Sequence, residues 1–137
     1  MATFNKFQQF VENLGKGVHD FTDDASCSVT VALSTVIPTA GMATLSEITE
    51  VEYTNLSSRI VTGITWEHTT GTVTMTATDL VLTASGAVAG FQYVTLYDDD
   101  PTSPADPLIG WYDYGSVVTL ASGETFTIDF TSILTLV

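Results

Sequence analysis

The sequence predicts an all-β fold: an antiparallel β-sandwich or jelly roll of about eight strands, with a short N-terminal helix or arm. Beyond Thr22 the chain is rich in Thr, Val, Ile and aromatic residues, which favour strands. Apolar and polar residues alternate with the strand period of two, so that Phe126, Ile128 and Phe130 share one face. Turn signals separate short apolar runs, and no helix of crossover length lies between them, which favours antiparallel connections.

The first twenty residues have a different pattern from the rest. Apolar residues recur at intervals of three and four, which is helical spacing, at Phe4, Phe7, Phe10, Val11, Leu14 and Val18. Gly15 and Gly17 then end the pattern. We expect a short amphipathic helix that packs its Phe side on the sheet. The alternative is a detached arm that docks on a neighbouring subunit. The change of pattern at Gly15 predicts that deletion of Met1–Leu14 leaves the β domain folded but abolishes attachment.

The rest of the chain divides into strands separated by turns. The candidate strands are Ser28–Leu33, Arg59–Glu67, Thr72–Ala84, Phe91–Tyr97, Leu108–Tyr112, Val117–Leu120, Thr125–Phe130 and Ile133–Leu136. The last four should form two consecutive hairpins, the second around a Ser122-Gly123 turn. Val36–Tyr53 reads as a long loop with a local turn, and Asp98–Pro107, which contains three prolines, as an exposed loop. We expect one domain over 1–137, with the helix or arm at 1–20 and the sandwich at 21–137.

The charge of the chain excludes several partners. Three basic residues, Lys6, Lys16 and Arg59, face 16 acidic ones, which gives a net charge of −13. So few cations cannot neutralise nucleic acid phosphates or attach the chain to an anionic membrane. The acidity either keeps a Thr-rich surface soluble or complements a basic partner. We also find no membrane-spanning apolar run and no signal-peptide pattern, so we expect synthesis in a cytoplasm.

Reaction chemistry is not expected from this sequence. Cys27 is the single cysteine and is expected to be buried, whereas His19 and His68 are expected at the surface or at strand ends. The carboxylates of the Asp98–Asp106 loop (Asp98, Asp99, Asp100 and Asp106) lack the alternating spacing of a calcium loop, so a solvated acidic loop is favoured over a metal site. No nucleophile elbow or phosphate loop is present. We therefore expect neither an enzyme nor a bound cofactor.

The densest aromatic cluster, GWYDYG, contains Trp111, Tyr112 and Tyr114. Strand alternation would bury Trp111 or Tyr112 in the core. An exposed aromatic strip would instead be a protein interface, where Trp and Tyr anchor binding. A platform for stacking on a sugar is the third interpretation.

Several stretches of the chain resemble a widespread set of small virion proteins of tailed bacteriophages. They are FVENLGKGVHDF, LSEITEVEYTNLSSRIVTG, TDLVLTASGAVAGFQYVTLYDDDPTSPADPLIGWYDYGS and VTLASGETFTIDF, and the most specific portion is LIGWYDYGS with SGETFTIDF. The resemblance implies a structural protein of the phage particle, such as a head decoration or cement protein that clamps the joints between capsid subunits. It would be made in the host cytoplasm and lie on the capsid surface.

This resemblance implies partners rather than substrates. The expected partners are the major capsid protein or other virion proteins, together with copies of the chain in a dimer or trimer. The candidate interface residues are Phe4, Phe7, Phe10, Trp111, Tyr112 and Tyr114. A tail, fibre or connector component stays open within the same class, and a carbohydrate- or receptor-binding module is the alternative from another class. Exposed Trp111 and Tyr112 in a shallow groove would favour that alternative, whereas buried aromatics with a flat apolar patch elsewhere would favour cement.

Overall fold

The computed structural model describes residues 3–22 and 27–137. Within these residues the chain forms nine strands and one α-helix, which confirms the predicted all-β fold class. The elements are β1 (Phe4–Lys6), α1 (Gln8–Gly15), β2 (Val29–Ser34), β3 (Thr65–Thr69), β4 (Thr72–Thr76), β5 (Leu80–Thr83), β6 (Val88–Asp98), β7 (Leu108–Leu120), β8 (Thr125–Ile128) and β9 (Leu134–Leu136).

The described strands form three antiparallel sheets around a common core. Their strand orders are β1-β7-β6-β2, β3-β4-β9 and β5-β8. One hydrophobic cluster joins all three sheets and the helix, since it includes Phe10 of α1, Val31 of β2, Met75 of β4 and Leu82 of β5. Every residue of β2 is buried, which places this strand at the centre of the core. The sandwich or jelly-roll arrangement of the sheets stays a prediction.

The N-terminal segment packs on the chain's own sheet. The helix ends at Gly15, as expected, but Phe4 lies on β1, which pairs with β7 in the register Phe4↔Tyr112. Phe7 and Phe10 are fully buried in the core. A detached arm would leave these rings available to a neighbour, so the packing contradicts that alternative. It also contradicts the expectation that Met1–Leu14 can be deleted from a folded domain, because the rings would leave a large cavity behind.

The predicted hairpin within GWYDYG is instead one continuous strand, β7. It pairs with β6 along its length, from Tyr97↔Leu108 to Val88↔Leu120. Between the pairs Tyr93↔Asp113 and Phe91↔Val118, β7 contains more residues than β6, so the surplus bulges outward. Gly115, with φ of 92°, lies in this bulge and supplies a backbone conformation that other residues avoid. The break between the two predicted strands is therefore a bulge inside one strand.

Two other connections differ from the prediction because their strands pair with strands that are distant in the sequence. Thr72–Ala84 divides into β4 and β5, since the Ala77 N–H donates to the Phe130 carbonyl and the two halves join different sheets. After the Ser122-Gly123 turn, β8 pairs with β5 rather than with β7. The alternation in β8 is confirmed: Ile128 and Phe130 are buried and Phe126 half-buried, whereas the intervening residues are exposed.

The outer edge of β2 is covered by an irregular segment, residues 51–61. The Val51 N–H donates to the Leu33 carbonyl (2.9 Å) and the Val61 N–H to the Val29 carbonyl (2.9 Å). This segment includes the start of the predicted strand Arg59–Glu67, of which only the last part is regular, in β3. Upstream, Val36–Tyr53 is a loop with a single 3-10 turn, as predicted, and the turn is capped by Thr44 and Glu47.

Candidate functional site

An apolar groove lies beside the β7 bulge, and we call it the Tyr114 groove. Its volume is about 280 Å³. One wall comes from β7 and the other from β8 and the residue after it, and β6 contributes to the lining. The lining residues are Val94, Tyr112, Tyr114, Phe126, Thr127, Ile128 and Asp129. The groove is slightly smaller than the roughly 300–1,000 Å³ of pockets for drug-sized ligands, so it suits one or two inserted side chains.

The bulge and the β8 alternation together build the aromatic part of the groove. Tyr114 has 55% of its surface exposed, and its ring meets Phe126 edge-on with centroids 5.2 Å apart. Phe126 in turn meets the buried Phe91 at 5.2 Å, which anchors this wall to the core. A bulge redirects side chains away from the regular pleat, and here it accompanies a large aromatic residue in solvent. Exposed aromatic residues on a rigid support are typical anchors of protein interfaces.

Two polar groups, the Tyr112 hydroxyl and the Asp129 carboxylate, lie beside the apolar lining of the groove. The Tyr112 hydroxyl is buried and has no hydrogen-bond partner among the described residues. Burial, with the nearby Asp129 carboxylate, raises the pKa of Tyr112 to about 12, so the phenol is protonated at neutral pH. The Thr131 N–H donates to Asp129 Oδ1 (2.9 Å), and this hydrogen bond lowers the pKa of Asp129. The groove therefore offers a neutral hydroxyl and an anionic carboxylate.

The six predicted interface residues divide into buried and accessible sets. Phe7 and Phe10 are fully buried, and Trp111 and Tyr112 are only 9% and 8% exposed, so a partner cannot reach most of these rings. Burial is the first expectation for the Phe side of the helix and for Trp111 or Tyr112, and all four rings are buried. They do not form the exposed strip that the interface interpretation needs; the Phe7 and Trp111 centroids, for example, are 4.7 Å apart. Phe4 is half-buried, and its ring contacts Tyr112 (5.1 Å).

Only Tyr114 among the six is well exposed, and the sequence did not indicate its neighbours in the groove. Phe126 and Ile128 were assigned correctly to the inner face of β8, but the alternation could not show that this face opens to solvent beside Tyr114. That arrangement depends on the pairing of β8 with β5, which joins residues distant in the chain. The groove lies where the inner face of β8 meets the β7 bulge. A sequence reading that recognised this bulge could have indicated the groove.

The largest departure from expectation is a buried pair formed by His19 and Asp98. Both side chains are 0% exposed, and His19 Nδ1 lies 2.9 Å from Asp98 Oδ2. The His19 ring stacks on Phe21, with centroids 5.3 Å apart and planes 9° apart, and it also contacts Phe10. The prediction of a surface histidine is wrong because its partner lies far along the chain. His68, by contrast, is exposed near the end of β3, as predicted.

Asp98 is therefore not part of a solvated loop but the last residue of β6. Its Oδ1 accepts the N–H groups of Ser28 (3.0 Å) and Asp100 (3.2 Å). Burial alone would raise the pKa of Asp98, but the hydrogen bonds from His19 and the two backbone groups outweigh it and lower that pKa. Cys27 is buried, as predicted, and burial and the Asp98 carboxylate raise the pKa of its thiol. The thiol therefore stays protonated, which is unfavourable for a nucleophile.

The remaining acidic residues of the loop do not assemble a metal site. Asp106 does return across the loop to Asp99, and burial together with this contact raises the pKa of Asp106. In residues 3–22 and 27–137 no group of three His, Cys, Asp or Glu side chains is arranged to hold a metal ion. Asp99 and Asp100 are exposed. The loop is thus solvated in its middle part only.

The basic residues do little to balance the acidic surface. Lys16 pairs with Glu12 on the helix. Arg59 lies over the Tyr53 ring at 3.6 Å and is 4.0 Å from Glu50 Oε1, so its charge is used within the chain. Lys6 is exposed on β1. The outer surface is therefore predominantly acidic.

Among the described residues, no helix has both the length and the apolarity needed to span a membrane. Comparisons of the chain with protein-family models, with curated proteins and with solved structures give no match. The function is therefore inferred from the Tyr114 groove, from the charge of the chain and from the resemblance described above.

Proposed function

We propose that this chain is a virion structural protein of a tailed bacteriophage, and within that class a capsid decoration or cement protein. It would bind the major capsid protein or another virion protein through the Tyr114 groove. Dimers or trimers of the chain on the capsid surface are part of this proposal.

The position of the groove is the observation that carries the proposal. Six of its seven lining residues fall within the two segments that resemble the phage proteins most specifically, LIGWYDYGS and SGETFTIDF; the seventh is Val94. These segments thus build an apolar surface that a partner could contact. The overlap between the most specific part of the resemblance and the groove supports the proposal.

The chemistry of the other described residues is consistent with a binding role. The buried His19 and Asp98 pair is inaccessible to a substrate, and the Cys27 thiol beside it stays protonated. Strong acidity keeps a protein of high copy number soluble and away from packaged DNA, because like charges repel. These features are consistent with a β-sheet protein that binds a partner through the Tyr114 groove.

The carbohydrate- or receptor-binding alternative required exposed Trp111 and Tyr112 in a shallow groove. Both rings are more than nine-tenths buried, so they cannot stack on a sugar. The pattern expected of a cement protein is buried aromatics with a flat apolar patch elsewhere. The Tyr114 groove supports it only in part, since Tyr112 and Tyr114 of the same cluster line the groove. Location on a tail, fibre or connector is a separate outcome of the test below.

Cryo-electron microscopy of the virion that contains this chain tests the location. Density for the chain on the head shell, with the Tyr114 groove against a neighbouring subunit, is the expected result. Density only on the tail or fibres would refute the decoration role, and absence of the chain from purified virions would refute the virion role.

A binding assay on heads that lack the chain tests the surface. Tyr114→Ala should reduce attachment at least tenfold, about 1.4 kcal/mol or more, since an exposed aromatic anchor is lost. Ile37→Ala is the matched control, because Ile37 is 57% exposed and does not line the groove. Equal attachment of both variants and the natural chain would show that the partner binds elsewhere.

A further inference from the structure

We propose that the Tyr114 groove receives a basic side chain, arginine by preference, that another protein inserts between β7 and β8. This inference rests on the proposed function, because it identifies the partner as a virion protein that presents such a residue. The occupant of the groove is thus a cationic side chain with an apolar stem.

The first observation is the unsatisfied hydroxyl of Tyr112. The residue is 8% exposed and lines the groove, and its oxygen has no partner among the described residues. A buried polar group without a hydrogen bond costs free energy, so an occupant whose entry opens the groove enough to reach the hydroxyl gains affinity. The protonated phenol can accept a hydrogen bond from an incoming N–H group.

The second observation is the charge of the groove. Asp129 lines it, and Asp129 Oδ1 is already held in place by the Thr131 N–H at 2.9 Å. The chain as a whole has a net charge of −13. An anionic occupant would be repelled, whereas a cation would be attracted both over long range and by this carboxylate. A guanidinium has enough donors to reach a carboxylate and a phenol oxygen together.

The third observation is the aromatic wall. Tyr114 and Phe126 both line the groove, with centroids 5.2 Å apart. Aromatic rings attract cations and pack well against the apolar stem of arginine, which tolerates partial desolvation better than lysine does. A volume of about 280 Å³ accommodates one such side chain with a small apolar neighbour. The wall, the hydroxyl and the carboxylate therefore suit one kind of residue.

A second copy of the chain is a poor source of that residue. Arg59 is engaged by the Tyr53 ring, and Lys16 by Glu12. Lys6 is exposed, but two copies would each bring a net charge of −13 to the contact. A basic segment of a different protein avoids this repulsion.

Titration of the full chain with two matched peptides tests the chemistry, with amide shifts read by NMR. The probes are acetyl-Leu-Arg-Leu-amide and the same peptide with citrulline, which has nearly the same shape without the charge. We expect shifts at residues 112–114 and 126–129, with about tenfold weaker binding of the citrulline peptide. Equal binding of the two peptides, or no shifts in this region, would overturn the inference.

Variants of the two polar groups test their roles. Asp129→Asn should weaken the arginine peptide about tenfold and Tyr112→Phe about threefold or more. Glu67→Gln, which removes an exposed charge outside the groove, should change nothing. In the free chain, Tyr112→Phe should melt at the same temperature or higher. A marked loss of stability would show that the hydroxyl is already satisfied, and the inference would fail.

The head-binding assay separates this inference from the proposed function. If Tyr114→Ala loses attachment while Asp129→Asn keeps it, the groove binds virion proteins but not through a cation, and only the inference fails. If the arginine peptide binds as described but the chain attaches to no virion, the proposed function fails alone. Self-association that Lys6→Gln abolishes would assign the groove to a second copy and overturn the inference.

Discussion

Replacing Asp98 by Asn is expected to destabilise the fold by about 2–3 kcal/mol, because this carboxylate accepts three hydrogen bonds at a fully buried position. In Asp98→Asn the amide oxygen can still accept the N–H groups of Ser28 and Asp100. The amide nitrogen then takes the place of the oxygen that faces His19. His19 must accept at Nδ1 and carry its proton on Nε2, a buried atom that lacks a partner among the described residues.

The magnitude follows from these contacts. Hydrogen bonds to a charged group contribute about 1.5–3 kcal/mol, and neutral ones about 0.5–1.5 kcal/mol, so each of the three bonds loses about 1 kcal/mol. The unpaired Nε2–H adds a further cost of about 1–3 kcal/mol. Relief from burying a charge returns part of this total, which leaves a net loss of about 2–3 kcal/mol. For a chain of this length that loss lowers the melting temperature by about 6–12 °C.

Urea unfolding followed by the fluorescence of Trp66 and Trp111 measures the change. Asp100→Asn is the control, because Asp100 contributes its backbone N–H to Asp98 while its side chain is exposed. The control should unfold within about 0.5 kcal/mol of the natural chain. If Asp98→Asn also changed the free energy of unfolding by so little, the three hydrogen bonds to Asp98 would not be important for the stability of the fold.

The same pair gives a pH dependence with a definite sign. The pKa of Asp98 is lowered in the folded state relative to its unfolded value of about 3.9. The ionised carboxylate therefore contributes stability above that pH, and the contribution is lost as the pH falls through the lower, folded pKa. The difference in unfolding free energy between the natural chain and Asp98→Asn should be constant near neutrality and shrink below about pH 4. A difference that grows on acidification would contradict this account.

Three further predictions concern the N-terminal segment and the thiol. Gly110→Ala should destabilise by about 1–3 kcal/mol in a thermal melt, because its Cβ would lie 2.6 Å from the Asn5 carbonyl, whereas Gly41→Ala, with open space around its Cβ, should be nearly neutral. Deleting Met1–Leu14 should abolish the cooperative transition seen by circular dichroism; a sharp melt of the deletion variant would show that the core does not need α1. Cys27→Ser should lower stability by about 1 kcal/mol with unchanged attachment to heads, and an unaltered melt would argue against burial of the thiol.

Local pattern was enough to predict the fold class and the buried face of β8. The alternation of Phe126, Ile128 and Phe130 with polar residues placed β8 correctly. Alternation left both faces open for Cys27, and its expected burial as a structural thiol is confirmed. The period of two is a property of the strand backbone. The alternation of side chains is therefore the same whichever strand it pairs with. Helical spacing likewise predicted α1, although Phe4 belongs to β1 instead.

Pairing between distant residues decided the features that the sequence did not predict. His19 looked exposed because its buried partner is Asp98, 79 residues away. The sequence left open whether Phe7 and Phe10 pack on the chain's own sheet or on a neighbour, because nothing in the local pattern shows that β1 joins β7. The groove at Tyr114 depends on β8 choosing β5. These outcomes depend on non-local contacts, which compete energetically with the local preferences that a sequence pattern reports.

The unequal lengths of β1 and β7 have a consequence for the behaviour of the protein at high copy number. β1 covers β7 only at Gly110–Tyr112, so within the described residues the stretch from Asp113 to Leu120 has no strand on that side. Such an open edge can template pairing with another chain and lead to fibrous aggregates. The exposed Asp113 and the kink at Gly115 both interrupt that template, and the acidity of each copy disfavours edge-to-edge pairing of strands. The same bulge that displays Tyr114 thus also protects the protein from growing sheets with itself.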